Sequence, residues 1–282
     1  MAQTYIGSSV LRKEDLRFMM GKARYVDDVK LPHMLHSAIL RSPHAHARVL
    51  SIDASAALEM EGVAAVYTYQ DVVQAVAPRP IPMRRGAYSG LERFLQYPLA
   101  GEKVRYVGEP VAVVAAESRY LAEDALDAIE VEYEPLPAIV DVWGSMKGDV
   151  LLFEEHGTNL ALEYEGSLGD ADSVFAEADY TRKEEFRCHR HTGNPLETRG
   201  LVASYDPGTG DLIVWGETKV PHFNRGVLAS LLEIPEHRIH FVEPDVGGGF
   251  GIRGEFYPEN FIVPFCSMKL GRPVKWIEDR ME

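Results

Sequence analysis

The stretch DVGGGFGIRG, residues 245–254, places five glycines in the eight residues that begin at Gly247. Because glycine has no Cβ, such a run lets a ligand approach the backbone closely, and successive free N–H groups form a concave site for an anion. The guanidinium of Arg253 would add positive charge against a phosphate. We therefore interpret the stretch as a ligand-binding loop. The alternative is a loop in which glycine serves only close packing.

Residues 249–254 also satisfy the pattern G-x-G-x-x-G of dinucleotide-binding folds, which lies directly between a strand and a helix and opens a βαβ unit. Here Pro244 and Asp245 separate the preceding strand from the glycines, and Pro258 delays the next helix. In a chain of 282 residues only 28 follow Gly254, which is too few for that unit. The pattern therefore gives only weak support to a nicotinamide-dependent dehydrogenase.

Outward from the loop, the hydrophobic patterns predict strands mixed with helices in both halves of the chain. Predicted strands cover 34–40, 47–52, 63–67, 104–116 with a break at 108–110, 129–133, 180–191, 201–205, 212–215 and 239–242. Predicted helices cover 12–18, 56–58, 120–128, 223–232 and 258–270. This mixed order is typical of an α+β fold. Residues 77–100 are rich in proline and glycine, and we interpret this basic stretch, which contains Arg79, Arg84 and Arg85, as a solvated loop.

Length and composition limit the class of protein. A length of 282 residues favours about two domains, and 46% hydrophobic with 26% charged residues is ordinary for a globular protein. The 43 acidic residues exceed the 29 basic ones, and the net charge of −14 disfavours nucleic-acid binding. We find neither a long apolar run nor a leader-like start, so we expect a cytoplasmic protein that does not bind membranes.

Metal-ligating side chains are few. Cys188 and Cys266 are the only cysteines, too few for a four-thiolate iron–sulfur or zinc site or for a disulfide framework. His189 and His191 would share one face of the predicted strand and could bind a metal together, but no third ligand is evident. We therefore favour polar strand histidines and predict no metal ligand in this chain.

Motifs along nearly the whole chain point to one family. They are GKARYVDD (21–28), RSPHAHA (41–47), VGEPVA (107–112), YEPLP (133–137), PLETRG (195–200), Pro221-His222 with Arg225, and the glycine loop. With these motifs the sequence resembles the molybdenum-binding large subunit of the xanthine dehydrogenase / aldehyde oxidase family, in its bacterial carbon-monoxide-dehydrogenase-like branch. The resemblance implies an N-terminal segment over 1–19, an α/β-hammerhead domain over 20–140 and an incomplete first molybdenum-cofactor-binding domain over 155–282.

The resemblance also implies an activity and partners. The family oxidises an aldehyde, an N-heterocycle or a similar small molecule with water as the oxygen source, and it passes the electrons through [2Fe–2S] clusters to FAD. We accordingly expect a molybdopterin cofactor, in a cytosine dinucleotide form, and three partners: an iron–sulfur small subunit, an FAD-binding medium subunit and the remainder of the large subunit. Because this chain has only two cysteines, the implied [2Fe–2S] clusters would lie on a partner chain.

Cofactor contacts follow from the same resemblance. The implied cofactor-binding residues are Lys219, Gly247, Gly248, Gly249, Phe250, Gly251 and Arg253. Lys219 stands where the family often carries a glutamine beside the metal; the other interpretation is a surface strand residue. The family's catalytic glutamate lies beyond residue 282, so no catalytic residue is assigned here. We expect the isolated chain to be inactive, and the competing hypothesis is a non-catalytic binding or assembly module that retains the fold.

Overall fold

The computed structural model describes residues 5–84 and 90–282, which form ten β-strands and eight α-helices. The strands are β1 (Leu35–Arg41), β2 (Ala47–Asp53), β3 (Val63–Thr68), β4 (Lys103–Val104), β5 (Pro110–Ala116), β6 (Glu130–Pro135), β7 (Gly200–Asp206), β8 (Asp211–Gly216), β9 (Ile239–Val242) and β10 (Val274–Ile277). The helices are α1 (Asp15–Met19), α2 (Ser55–Glu59), α3 (Tyr69–Ala75), α4 (Arg119–Asp127), α5 (Val142–Lys147), α6 (Ala171–Glu177), α7 (Pro221–Leu232) and α8 (Glu259–Leu270). The predicted α+β class is confirmed.

A seven-stranded sheet joins the two halves of the chain, in the order β3-β5-β1-β10-β7-β8-β9. At its centre β10 pairs in parallel with β1, with Leu35 opposite Val274, and antiparallel with β7 on its other side. A second sheet has the order β4-β2-β6. The main sheet is therefore continuous between the first and second halves of the sequence.

The core explains where the regular elements begin and end. Every residue of β5 is buried, and after Pro110 this strand is a continuous run of valine and alanine rather than an alternating pattern. The hydroxyl of Ser118 accepts the Leu121 N–H and caps the N-terminus of α4. On the other side, α7 and α8 pack on β7 to β9 through side chains such as Leu228 and Phe261. This packing fixes β9 and α8, and the glycine loop lies in the connection between them.

The sequence patterns miss β10, the central strand. Its second residue is Lys275, which interrupts the apolar run expected of a buried strand. The structure buries this side chain and directs its Nζ to the carbonyl of Asp27 at 2.6 Å. A buried ammonium requires such acceptors, and this one lies far away in the sequence. The short helices α3, α5 and α6 are also missed.

The strand predicted over 180–191 is wrong for the part of the chain described here. The segment runs without turn or bend, but no described strand pairs with it, and an unpaired backbone does not form a sheet. His189 and His191 therefore lie on no sheet. Among residues 5–84 and 90–282, no group of three histidine, cysteine or acidic side chains is arranged to hold a metal.

The stretch at 77–100 is irregular where it is described, apart from a 3-10 turn at Leu91–Phe94. Its interpretation as a solvated loop is wrong at Ile81 and Leu99, which are buried in the core. Arg79 is half-exposed and donates to the carbonyl of Ser230 at 3.1 Å. Arg85 lies outside the described residues. No helix in the described ranges has the length and apolarity needed to cross a membrane.

Candidate functional site

The glycine loop, residues 247–251, is anchored at its first two residues. The Gly247 N–H donates to the Glu197 carboxylate at 2.6 Å, and the Glu197 N–H donates to the Gly247 carbonyl at 3.3 Å. A Cβ on Gly247 would lie 2.4 Å from the Cβ of Glu197, and a Cβ on Gly248 would lie 2.9 Å from that of Pro195. Gly247 and Gly248 are thus required for close packing against the segment 195–198.

The second half of the loop faces open space. The nearest described atom to a Cβ on Gly249 would be Arg253 Cδ at 4.0 Å, and nothing described lies within 4 Å of one on Gly251. In the described chain, the N–H groups of residues 248 to 251 donate to no protein acceptor. The Phe250 ring between the two glycines is 78% exposed. The loop therefore combines packing glycines with a backbone cradle suited to an anion.

Entry into the loop is fixed from the N-terminal part of the chain. Both Asp245 carboxylate oxygens accept from the Arg17 guanidinium at 2.5 Å, and one also accepts the Arg24 N–H at 2.8 Å. These bonds hold the pKa of Asp245 below its ordinary value, with the Arg17 hydrogen bond as the largest cause. The chain just before the glycines is therefore held in one position.

Arg253 connects the loop to two other segments. Its side chain is 5% exposed, and it donates to the Gly248 carbonyl at 2.6 Å and to the Glu197 carbonyl at 3.0 Å. It also donates to the Glu217 carboxyl group, at the start of the connection from β8 to α7. All of these acceptors are internal, so the guanidinium stabilises the shape of the loop. A direct contact between Arg253 and the cofactor stays a prediction.

Two carboxyl groups share this one guanidinium. The Glu217 side chain is completely buried, and its burial, together with the neighbouring Glu197 carboxylate, raises the pKa of Glu217 to about 9 despite the opposing effect of Arg253. At neutral pH Glu217 therefore carries a proton and accepts the Arg253 hydrogen bond as a neutral carboxyl group. A neutral Glu217 avoids burying a negative charge away from water.

Replacing Glu217 with glutamine should make stability less dependent on pH. A raised pKa favours the native state most below the ordinary glutamate range, and this advantage is lost as pH rises toward about 9. The variant should match or exceed the parent's Tm at neutral pH, and its Tm should fall less than the parent's as pH rises from the ordinary glutamate range to about 9. Exposed Glu243 changed to glutamine is the control. A large loss of Tm for Glu217→Gln at neutral pH would mean that Glu217 is ionised there.

Lys219 lies beside the loop but outside any strand. It follows β8 in the connection to α7, and its side chain is exposed, so its interpretation as a strand residue is wrong. The Lys219 N–H donates to the Arg253 carbonyl at 3.1 Å. Its side chain passes over Gly254, where an added Cβ would lie 3.2 Å from Lys219 Cε. The structure thus brings all seven predicted cofactor-binding residues into one neighbourhood.

Sequence reasoning missed Glu197 and Glu217 as determinants of this site. Glu197 lies inside the recognised motif PLETRG, 50 residues before its partner Gly247. Glu217 directly follows the half-buried strand β8, a position where an acidic residue needs a cationic partner. An acidic residue directly after an apolar strand is thus the sequence signal that could have identified Glu217.

Two family models match the chain. Residues 20–137 match the "Aldehyde oxidase and xanthine dehydrogenase, a/b hammerhead domain", and residues 152–282 match the "Molybdopterin cofactor-binding domain". The hammerhead fold and the cofactor-binding fold expected from the sequence are confirmed. The exact domain limits stay a prediction.

Relatives match along almost the entire chain. The 6-hydroxypseudooxynicotine dehydrogenase complex subunit gamma of Paenarthrobacter nicotinovorans is 39% identical over 99% of this chain and 35% of its own length. The carbon monoxide dehydrogenase large chain of Afipia carboxidovorans is 41% identical over 98% of this chain and 35% of its own length. The crystal structure of quinoline 2-oxidoreductase from Pseudomonas putida is 39% identical, with a TM-score of 0.83, and the match covers 97% of this chain and 34% of that one. The reconstituted carbon monoxide dehydrogenase of Oligotropha carboxidovorans is 40% identical, with a TM-score of 0.86, over 98% of this chain and 35% of that one.

The matches define a class in which an aldehyde-oxidase-type hammerhead fold is joined to a molybdopterin cofactor-binding fold. The chain belongs to the xanthine dehydrogenase / aldehyde oxidase family, in the branch that contains the carbon monoxide dehydrogenase large chains. It spans about a third of the length of these relatives, between 34% and 35%.

Proposed function

We propose that this chain is part of the large subunit of a molybdenum hydroxylase. The enzyme oxidises an aldehyde, an N-heterocycle or a similar small molecule, with water as the oxygen source. The observation that carries the proposal is the row of N–H donors at residues 248–251, open on the side of Gly249 and Gly251. The names of the relatives, which include a nicotine 6-hydroxylase large subunit, support the class of reaction.

The residues of the loop fit a molybdenum cofactor. Its phosphate and other electron-rich groups need donors, and these N–H groups have no competing acceptor among the described residues. Glycine at 249 and 251 leaves room for a bulky group, and the exposed ammonium of Lys219 adds positive charge beside it. When bound, the cofactor supplies two-electron redox chemistry. The chain's own residues bind and orient it.

The proposed assembly includes further subunits. An iron–sulfur small subunit and an FAD-binding medium subunit accept the electrons, and the remainder of the large subunit supplies the catalytic glutamate. The words "large chain" and "complex subunit" in the relatives' names support such an assembly. We further propose the cytosine dinucleotide form of molybdopterin and a cytoplasmic location.

Metal and pterin analysis of the chain purified with its natural partners tests the proposal. Stoichiometric molybdenum and pterin are expected. A properly assembled complex without molybdenum would refute the proposed enzymatic function. The alternative, a non-catalytic binding or assembly module, would then be favoured.

Gly249→Val should remove the cofactor from the assembled protein and leave the fold intact. The added Cβ meets no described atom closer than 4.0 Å, so the branched side chain occupies the space assigned to the cofactor. Overpacking of this kind costs about 1–3 kcal/mol, so molybdenum content should fall about tenfold or more at an unchanged Tm.

Gly247→Val is the matched comparison, because its Cβ would lie 2.4 Å from Glu197 Cβ. This variant should lose both Tm and molybdenum. Full molybdenum content in Gly249→Val would contradict the role of the cradle.

A further inference from the structure

A continuous stretch of the chain makes no core contact. Every residue from 162 to 192 is exposed. The stretch carries the exposed large apolar side chains Leu162, Tyr164, Leu168, Val174, Phe175, Tyr180 and Phe186. Folded proteins rarely expose so much contiguous apolar surface unless it is a contact surface.

Within this stretch, residues 180–191 form no helix and pair with no described strand. The chain runs without turn or bend, and none of its backbone N–H groups donates to a described backbone acceptor. Tyr180 and Phe186 are an even number of residues apart and so share one face. When extended, such a segment presents a row of unpaired donors and acceptors that a second strand satisfies.

We propose that residues 180–191 become a β-strand by pairing with a strand from the remainder of the large subunit. The inference rests on the proposed function, since it takes the chain to be part of such a subunit. Relatives that match 98% or more of this chain devote only about 35% of their length to it. The same polypeptides therefore hold the additional chain from which the pairing strand comes.

Charge indicates the chemistry of that partner strand. Residues 180–191 contain four basic and two acidic side chains, whereas the whole chain has a net charge of −14. Two copies paired in parallel and in register through this segment would place like charges opposite each other, which is unfavourable across a sheet. The complementary partner is an acidic strand with an apolar face toward Tyr180 and Phe186.

Pairing would also act on the glycine loop. The segment continues directly into residues 193–198, which pack on that loop. A Cβ on Gly193 would lie 2.8 Å from Phe250 Cβ, and Glu197 binds the Gly247 N–H. A strand at 180–191 therefore fixes the path of the chain just before it grips the loop, so assembly completes the cofactor cradle.

The two cysteines provide the test. Cys188 lies in the proposed strand and is exposed in this chain, whereas Cys266 is fully buried in α8. In the native complex purified with its partners, Cys188 should react with a maleimide at least about tenfold more slowly than in the same complex unfolded in urea. Amide hydrogens of 180–191 should exchange more slowly by a similar factor, and Cys266 reports that the core stays folded.

Two outcomes would overturn the inference. In the first, Cys188 of the native complex reacts with maleimide, and the amides of 180–191 exchange, as fast as in the unfolded complex. In the second, Cys188 is protected but the amides of 180–191 exchange fast, which would mean that the side chain is buried without strand pairing. Glu184→Pro should restore fast labelling of Cys188, because proline removes a ladder donor, whereas the control Leu168→Pro should not. Equal labelling in the two variants would also contradict the proposal.

Molybdenum analysis of the same sample separates this inference from the proposed function. Protected Cys188 without bound molybdenum would support strand pairing at 180–191 and contradict the proposed enzymatic function. Bound molybdenum with a reactive Cys188 would support the enzymatic function and contradict strand pairing.

Discussion

Arg253→Met should empty the cofactor site and destabilise the protein in one step. Methionine fills much of the volume of the arginine stem but cannot donate, so the Gly248 carbonyl and the Glu197 carboxylate lose a donor inside the protein. Removing one partner of a buried ion pair costs about 3–5 kcal/mol. Urea unfolding and molybdenum content of the assembled protein measure the two effects.

Arg253→Lys and Arg238→Met complete the comparison. Lysine keeps the charge but cannot serve several acceptors in one plane, so it should retain more stability than methionine and still lose cofactor. Arg238 pairs with Asp211 at the surface, with its side chain 42% exposed, and its loss should change stability by only about 0–1 kcal/mol. Full molybdenum content in Arg253→Met would show that the loop keeps its shape without this side chain.

Glu259→Gln should destabilise the fold by a comparable amount, about 3–5 kcal/mol. The Glu259 carboxylate is buried at the start of α8 and accepts from Arg41 at 2.7 Å and from Arg199 at 3.0 Å. Burial alone would raise its pKa, but the two guanidinium groups outweigh burial and hold the pKa below the ordinary value. Its contribution is thus present at neutral pH and lost as pH falls through that lowered pKa.

Glu123→Gln is the control, since Glu123 pairs with Arg119 on an exposed helix surface. Thermal unfolding at neutral pH should show a large decrease in Tm for Glu259→Gln and almost none for the control. Equal small effects would mean that the buried network contributes little to stability.

Local patterns were sufficient for most of the sheet and for the position of the site. Strands such as β1 and β7 have apolar residues at their own positions, and their partners lie on neighbouring strands with the same property. The sequence predicts the loop at 247–251 because a run of glycines lets the backbone take conformations and close approaches that other residues disfavour. In both cases the deciding information lies within a few residues.

Long-range contacts decided the remainder. Arg253 was expected to face a ligand, but Glu197 and Glu217 accept its hydrogen bonds from 56 and 36 residues away. The difference between Gly247 and Gly249 likewise depends on Glu197. Lys275 conceals the central strand, because its acceptor is an Asp27 carbonyl 248 residues distant.

The position of β10 between β1 and β7 has a consequence for how this family can be rearranged. Two family models divide the sequence near 138–151, but the last strand of the second part is inserted beside the first strand of the first part. A hammerhead region exchanged between relatives must therefore bring a matching edge for β10 and an arginine for Glu259. The two regions match separate family models, yet in this chain they build one sheet.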